Sequence, residues 1–597
     1  MKNAIYLETS TSPEDYYPRN RIKISLESLI TYSVYKFCVS DIQLYFVHNK
    51  NTPESGLVEI ICENIDFVDL KIVPWQVKSC IYPVAFYDDT IITGLCAVCR
   101  HICKFRLSPR TCHEYEEGLL AFRRGCLQAP NEVSIWTKFC EVELINTVKE
   151  LFNITSLREV PKSLVRFENH LNKPVRIHNI FKVANDLSKD NSKSIEHVDK
   201  FQKMKSQKDS RISKQRNWKS NVKEDQTKVK CLGREDLDIH HQYAEGPFFT
   251  LADLVLLPSY YIVLKFFGEK LFQSLLPLSH KWLLNVKNVK EVDDLYNFLS
   301  TIQIQPLEIS QIDFPDVEDV SLYKSDPKRH NPKKRLFTKP DDIEKALNVL
   351  VEGMELLMSN LEFEKTFDWD DIPDGANPEA GHLPDERVER KSQQLQNLTL
   401  AVLAMAKDGD HIVDFCSGSG HLGILIAHLL PKCTVILLEN KEQSLLRARE
   451  RVHKMGLRNV YFFQCNLDFF IGKFDIGIAL HACGIASDLV LDKCLSSKAK
   501  FVLCPCCYGS IHATDRLVYP RSAAFKRMSI EQYLCIGHTA DQTHKEHPLT
   551  VRGARCMAVI DSDRARLAEE HGYTVTLSRL KPLSCTPKNN LLIGVPL

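Results

Sequence analysis

Three strand ends in the last third of this 597-residue chain carry residues whose types and spacing suit a nucleoside cofactor. The first is Val413-Asp-Phe-Cys-Ser-Gly-Ser-Gly-His-Leu-Gly423, an apolar run entering a glycine-rich turn that opens a helix. Glycines are needed where the backbone turns sharply and approaches a ligand closely. Gly418, Gly420 and Gly423 also satisfy the G-x-G-x-x-G spacing of a dinucleotide site, so NAD has to be weighed. The second is Glu439, which closes the run Val435-Ile-Leu-Leu about twenty residues on, where an acid grips ribose hydroxyls. The third run ends at Gln464-Cys-Asn466, which sets a polar side chain at the same sheet edge.

Asp414 and Glu439, and after them Asn466, shift the balance toward S-adenosylmethionine over NAD. Asp414 sits just inside the turn, where methyltransferases commonly place an acid near the methionine amino group. Dinucleotide folds usually have an apolar residue or glycine there. Asn466 occupies the position at which methyltransferases often set a polar residue against the adenine amino group. The expected cofactor set is therefore Asp414, Gly418, Gly420, Glu439 and Asn466. A Rossmann-like domain with a dead site would leave polar residues at three successive strand ends unexplained.

Acceptor chemistry is sought after the fourth and fifth strands, since open α/β sheets bind ligands at the C-terminal ends of their strands. Those ends read Ala479-Leu-His-Ala-Cys-Gly484 and Cys504-Pro-Cys-Cys-Tyr-Gly509. The (Asp/Asn)-Pro-Pro-aromatic motif of adenine- and amide-directed N-methyltransferases is absent. His481 is the catalytic candidate, as a general base toward the acceptor. The alternative is a His that bonds loop backbone and positions the cofactor. Cys483, Cys504, Cys506 and Cys507 lack the two spaced ligand pairs of a zinc knuckle, so no metal is expected and the thiols are read as lining an acceptor pocket. Cys96, Cys99 and Cys103 share one helical face and are read as core.

The elements that must position these residues alternate strand and helix from about residue 390. The strands are His411–Phe415, Thr434–Leu438, Val460–Gln464, Asp475–Leu480, Lys500–Leu503, Tyr573–Leu577 and Leu591–Val595. That pattern predicts a doubly wound, mostly parallel sheet, a Rossmann-like α/β domain over 390–597. Its last two strands, joined by a Pro-containing loop, look like the antiparallel final hairpin of methyltransferases. Upstream, 1–105 reads as a small α/β unit, with strand Tyr82–Tyr87, turn Asp88-Asp89 and strand Thr90–Thr93. Residues 106–320 read as helical, with a polar, disordered insert at about 186–232. A basic linker (Lys324–Lys339), one helix (Asp341–Leu361) and a polar linker (Asp370–Pro384) fill 321–389.

Composition narrows the class. A net charge of +1 predicts no nucleic-acid or membrane partner by itself, so any such partner must use a local patch. The most apolar stretch, Phe249–Gly268, contains Asp253, Pro258 and Lys265 and reads as a buried core helix, so no membrane contact is expected. The N-terminus lacks the apolar stretch of a signal peptide, which predicts a reducing compartment. The 21 cysteines are then small buried hydrophobes, not disulfides.

The run Asp414–Gly423, with His481-Ala-Cys-Gly484 and Pro505-Cys-Cys-Tyr508, resembles the transfer-RNA 2′-O-methyltransferase family and methyltransferase-like proteins with a His-x-Cys-Gly signature. The front half resembles a glutathione transferase. Pro83 matches that fold's cis-proline, Asp88-Asp89 its hairpin, and Thr250-Leu-Ala-Asp253 the capping box of its core helix. Over nearly the whole chain the sequence resembles the glutathione S-transferase C-terminal domain-containing protein family. The resemblance implies a cytoplasmic location and three parts: a thioredoxin-like α/β domain, an all-α transferase-like helical domain and the Rossmann-like methyltransferase domain. It departs at Thr93-Gly94, where glutathione transferases carry an acidic-Ser pair that grips glutathione, and no catalytic residue is clear near Ser12, Tyr16 and Tyr17. Glutathione is therefore not an expected ligand, and the front half is left to protein or RNA contacts. The expected function is an S-adenosylmethionine-dependent methyltransferase, with RNA ahead of protein as acceptor. The alternatives are a non-catalytic cytoplasmic scaffold with relict folds and a glutathione-dependent transferase.

Overall fold

Apolar runs of Val, Ile, Leu and Phe in the last third form strands covered on both faces, as a computed structural model of the chain shows. It describes all residues but 1, 2, 18, 50–55, 107–117, 131–133, 178, 185–236, 238, 310, 320, 324–339, 349–356, 362, 364–367, 379–384, 515 and 544–549, and only the backbone of 385, 386 and 481. The insert expected at 186–232 and the basic run Lys324–Lys339 lie outside the described residues.

In chain order the strands are β1 (Ala4–Thr9), β2 (Arg21–Ile24), β3 (Gln43–His48), β4 (Val58–Ile61), β5 (Asp66–Val68), β6 (Val84–Tyr87), β7 (Thr90–Thr93), β8 (His411–Phe415), β9 (Thr434–Glu439), β10 (Val460–Gln464), β11 (Ile476–Cys483), β12 (Lys500–Cys506), β13 (Tyr573–Arg579) and β14 (Asn590–Pro596). Two compact units contain them. One is Met1–Tyr6, Lys71–Gly94 and His330–Leu597; the other is Leu7–Leu70 and Leu95–Arg329.

The first unit is built on a sheet in the order β13-β14-β12-β11-β8-β9-β10-β7-β6-β1. Strands β12, β11, β8, β9, β10 and β7 run parallel. β14 is antiparallel to both β12 and β13, the final hairpin expected from the sequence. Burial on both faces explains why β8, β9 and β12 read as nearly unbroken apolar runs. The chain starts at β8, winds outward through β9 and β10, then returns to β11 on the other side. The β8–β11 border is thus the switch point, where such sheets open a crevice. The helix Asp385–Leu403 turns Leu395, Leu398 and Val402 into the core beside Ile412 and Leu422.

The hairpin β6–β7 belongs to this unit, not to a separate domain ending at residue 105. β7 adds to the sheet beside β10, with Phe462 opposite Thr90 and Gln464 opposite Ile92. Trp75 meets Tyr461 edge to face at 5.0 Å, and Asp89 accepts from His453 Nε2 at 2.7 Å. The Tyr82–Pro83 bond is cis. The single helix expected over Asp341–Leu361 is a second correction. A helix covers Pro340–Asn348, but 357–361 is not helical. Its backbone bonds elsewhere: Ser359 N–H donates to Leu577 O at 2.8 Å and Leu361 N–H to Ser578 Oγ at 3.1 Å.

In the second unit β2 pairs antiparallel with β4, and β3 parallel with β5. The helix Leu251–Phe267 is its buried axis, capped by Thr250 and Asp253. Asp253 accepts the Thr250 and Ala244 N–H groups and the Trp282 indole N–H, each at 2.8 Å. Among the described residues no single helix is long and apolar enough to cross a membrane.

Candidate cofactor and acceptor site

The turn after β8 is held by side chains from other elements. Cys416 and Gly418 both take positive φ, 55° and 57°. Gly418 faces open space, with nothing within 4 Å of where a Cβ would stand, so a ligand can approach its backbone. Gly420 has φ 74°, and an added Cβ would lie 2.9 Å from Leu437 and 3.0 Å from Ala448. Its role in the structure is close packing of the turn on β9 and the helix Glu442–Met455. Arg451 from that helix donates to Ser419 O at 2.8 Å. Burial lowers the Arg451 pKa to about 10, which leaves it charged at neutral pH.

Asp414 is buried at the end of β8, and its Oδ2 accepts the Gly423 N–H at 2.9 Å. Burial pushes its pKa up to about 7, against the pull of that N–H and of the Lys391 ammonium, while Glu439 adds to the rise. Lys391 is half-buried, and burial lowers its own pKa. Both line a cavity of about 460 Å³, within the usual size range of small-molecule sites. His421 and Ser417 also line it, and His421 Nδ1 and Ser417 Oγ are buried there with no hydrogen-bond partner among the described residues. Burial, then the Arg451 and Lys391 cations, hold His421 down at about 3, so its ring is neutral.

The expected cofactor residues are placed unequally. Asp414 and Gly418 line the cavity. Glu439 reaches it through Gly418, whose N–H it accepts at 2.8 Å, and its other oxygen accepts the Lys441 N–H at 2.9 Å. Gly420 and Asn466 do not line the cavity, though Asn466 is buried at the end of β10. The backbone of His481 lies in β11, one residue beyond the cavity-lining Leu480, and its side chain is outside the described atoms. The cations Arg387, Arg390 and Lys391, which also line the cavity, were not singled out from the sequence. Their i, i+3, i+4 spacing on one helix face was the available signal. That helix is pinned where Gln394 donates to Cys585 O at 3.0 Å and Asn397 to Lys581 O at 2.7 Å.

On the acceptor side, the loop after β12 hangs on a buried polar network that the sequence did not reveal. Tyr508 OH donates to Asp561 at 2.7 Å. Arg564 bonds Asp561 at 2.9 Å and both oxygens of Asp488 at 2.8 and 2.7 Å. Burial alone would raise the Asp488 carboxyl, but Arg564 and then Arg521 outweigh it and hold it below the usual range. Cys504 turns away, its thiol donating to Lys588 O at 3.6 Å, whereas the sulfurs of Cys483, Cys506 and Cys507 lie within 4.8 Å of one another.

At the position that would grip glutathione, the buried Thr93 hydroxyl is already engaged, with Ile81 O at 2.6 Å and Pro83 O at 3.2 Å. Ser12 caps the short helix Pro13–Tyr16, and Tyr16 OH donates to Cys62 O at 2.9 Å. These groups serve local structure.

Residues 386–514 match the family model of a methyltransferase domain. Among solved structures, the chain is similar to an rRNA methylase from Streptococcus thermophilus, at 15% identity and TM-score 0.21, covering 35% of this chain and 95% of that one. It is 42% identical over 524 residues to the Glutathione S-transferase C-terminal domain-containing protein homolog of Drosophila melanogaster, covering 85% of this chain and 83% of that one. It is 34% identical over 579 residues to the Glutathione S-transferase C-terminal domain-containing protein of Homo sapiens, covering 89% of each. With relatives matched along most of both chains, this chain belongs to the glutathione S-transferase C-terminal domain-containing protein family.

Proposed function

We propose that the chain binds S-adenosylmethionine in the cavity at the end of β8 and transfers its methyl group to RNA in the reducing cytoplasm. The observation that carries the cofactor reading is Asp414. A buried carboxyl lines the cavity and sits under the first turn of the helix His421–Leu429. A dinucleotide would bring its pyrophosphate to that helix start, where a carboxylate repels it. A methionine ammonium and a sulfonium are attracted to the same charge. The neighbouring groups fit the rest of the cofactor. Gly418 has open space on its Cα side, Glu439 keeps unused lone pairs for ribose hydroxyls, and His421 and Ser417 offer buried polar atoms with no partner among the described residues. Asn466 is assigned to the adenine amino group.

S-adenosylmethionine supplies an electrophilic methyl group. The chain then has to orient an acceptor and dispose of its proton. His481, just past Leu480, is assigned that proton, with cofactor positioning as its other role. RNA is favoured as acceptor because Arg387, Arg390 and Lys391 give the cavity a cationic border suited to a phosphate backbone. Glutathione is not assigned to the front half, where Thr93 is internally bonded.

The test is incubation of the full chain with methyl-labelled S-adenosylmethionine and cell extract depleted of small molecules. Ribonuclease-sensitive label is expected. Label that only protease removes would move the acceptor to protein. Absence of label with intact cofactor binding would favour a non-catalytic scaffold.

A further inference from the structure

Three thiols converge at the ends of β11 and β12. The two strands pair in parallel with Leu480 opposite Cys504, then slip so that Cys483 comes opposite Cys506. One extra residue on β11 makes this a bulge, a device that re-aims side chains. Cys507 adopts the left-handed conformation, φ 55° and ψ 47°, a strained choice for a residue with a side chain. On an extended strand, neighbours point to opposite faces. The left-handed turn is what lets Cys506 and Cys507 bring their sulfurs to one place. Cys483 Sγ lies 3.3 Å from Cys506 Sγ and 3.3 Å from Cys507 Sγ.

The surroundings fix that arrangement. Gly484 N–H donates to Cys506 O at 3.0 Å, Gly509 N–H to Asp541 at 2.8 Å, and the buried Tyr508 to Asp561. Lys588, bonded to Asp541 at 3.1 Å and to Thr543 Oγ1 at 2.7 Å, is close enough to Cys507 and Cys506 to interact with them electrostatically.

We propose that Cys483, Cys506 and Cys507 form a zinc site, to which the described residues supply three thiolates. Zinc–thiolate bonds of about 2.3 Å place tetrahedral sulfurs roughly 3.8 Å apart. Two observed separations of 3.3 Å, with all three within 4.8 Å, need only small adjustments to match. An all-sulfur set selects zinc over magnesium or calcium, which take oxygen. Binding replaces three S–H bonds by three Zn–S bonds and releases three protons. The product carries one negative charge, beside the Lys588–Asp541 ion pair. Among the described residues the set supplies three ligands, one short of the four that tetrahedral zinc takes. The site is independent of the cofactor assignment. Linear spacing hid it, because two of its ligands are adjacent and the third lies on another strand.

The test uses the full chain, purified under reducing conditions, loaded with zinc and dialysed, followed by metal analysis. Wild type is expected to hold one zinc per chain more than Cys483→Ser or Cys507→Ser, with Cys103→Ser as a control that keeps the metal. Cobalt in place of zinc should give a thiolate-to-metal charge-transfer band that both variants lose. Circular dichroism must show each variant folded, and Cys483, being exposed, is the safer substitution. Folded wild type without zinc, or folded variants with the same zinc content as wild type, would overturn the proposal.

Discussion

Glu439 Oε2 accepts the Gly418 backbone N–H at 2.8 Å, so the last side chain of β9 holds the turn that follows β8. One carboxylate thus shapes the turn and has lone pairs left for a ligand. Glu439→Ala should weaken S-adenosylmethionine binding by about 2–3 kcal/mol, the worth of charge-assisted ribose contacts. Isothermal calorimetry reads this as a loss of roughly thirty- to 150-fold. An unchanged affinity in a folded variant would remove Glu439 from the ribose contact.

Cofactor affinity should depend on pH through Asp414. Burial lifts this carboxyl to about 7. The methionine ammonium prefers the ionised form, so binding below that pH must expel a proton. Affinity should therefore rise as pH increases through about 7 and then level off. The effect on folding has the opposite sign. A raised carboxyl pKa means the folded state binds the proton more tightly, so Asp414 favours folding less as pH climbs from about 4 toward 7. Asp414→Asn should flatten the binding profile and lower the affinity. A flat wild-type profile between pH 6 and 8 would contradict the assignment.

The hairpin β6–β7 covers the β10 edge of the parallel sheet. A fragment of 390–597 alone would expose that edge together with the Tyr461 and Phe463 faces that Trp75 covers. Exposed apolar edge strands promote association. The fragment should aggregate or bind cofactor poorly in light scattering and calorimetry, while the full chain does neither. A monodisperse fragment with full affinity would show the hairpin to be dispensable.

Much of this site was legible in the sequence, and the remainder was hidden for physical reasons. β8 and β10 have the limits their apolar runs predict, since burial on both faces leaves a contiguous signal. β11 and β12 extend three residues further than predicted, because the ladder continues through a bulge into polar and sulfur side chains. Hairpin β6–β7 was recognisable from its Asp-Asp turn, but no local pattern says that β7 pairs with a strand some 370 residues away. Asp414 and Gly418 stood out through the turn chemistry. His421, in the same motif, did not, because its neutrality comes from burial and from cations on two distant helices.

An RNA acceptor predicts a salt signature. Lys333, Lys334 and Arg335 belong to the basic run outside the described residues, and their charge alone motivates the test. Each phosphate neutralised contributes a slope of roughly 0.7–0.9 in log affinity against log salt. Changing all three to Ala should weaken RNA binding and flatten that slope, with cofactor affinity unchanged. Wild type without salt-dependent RNA binding would leave the run a solvated linker and shift the acceptor toward protein.

The most direct measurement is calorimetric titration of the full chain with S-adenosylmethionine, S-adenosylhomocysteine, NAD and glutathione. Saturable binding of the first two is expected, lost or strongly weakened in Asp414→Asn and Glu439→Ala, with no heat from NAD or glutathione. Binding of NAD in place of S-adenosylmethionine, or no binding of either sulfur nucleoside, would contradict the account.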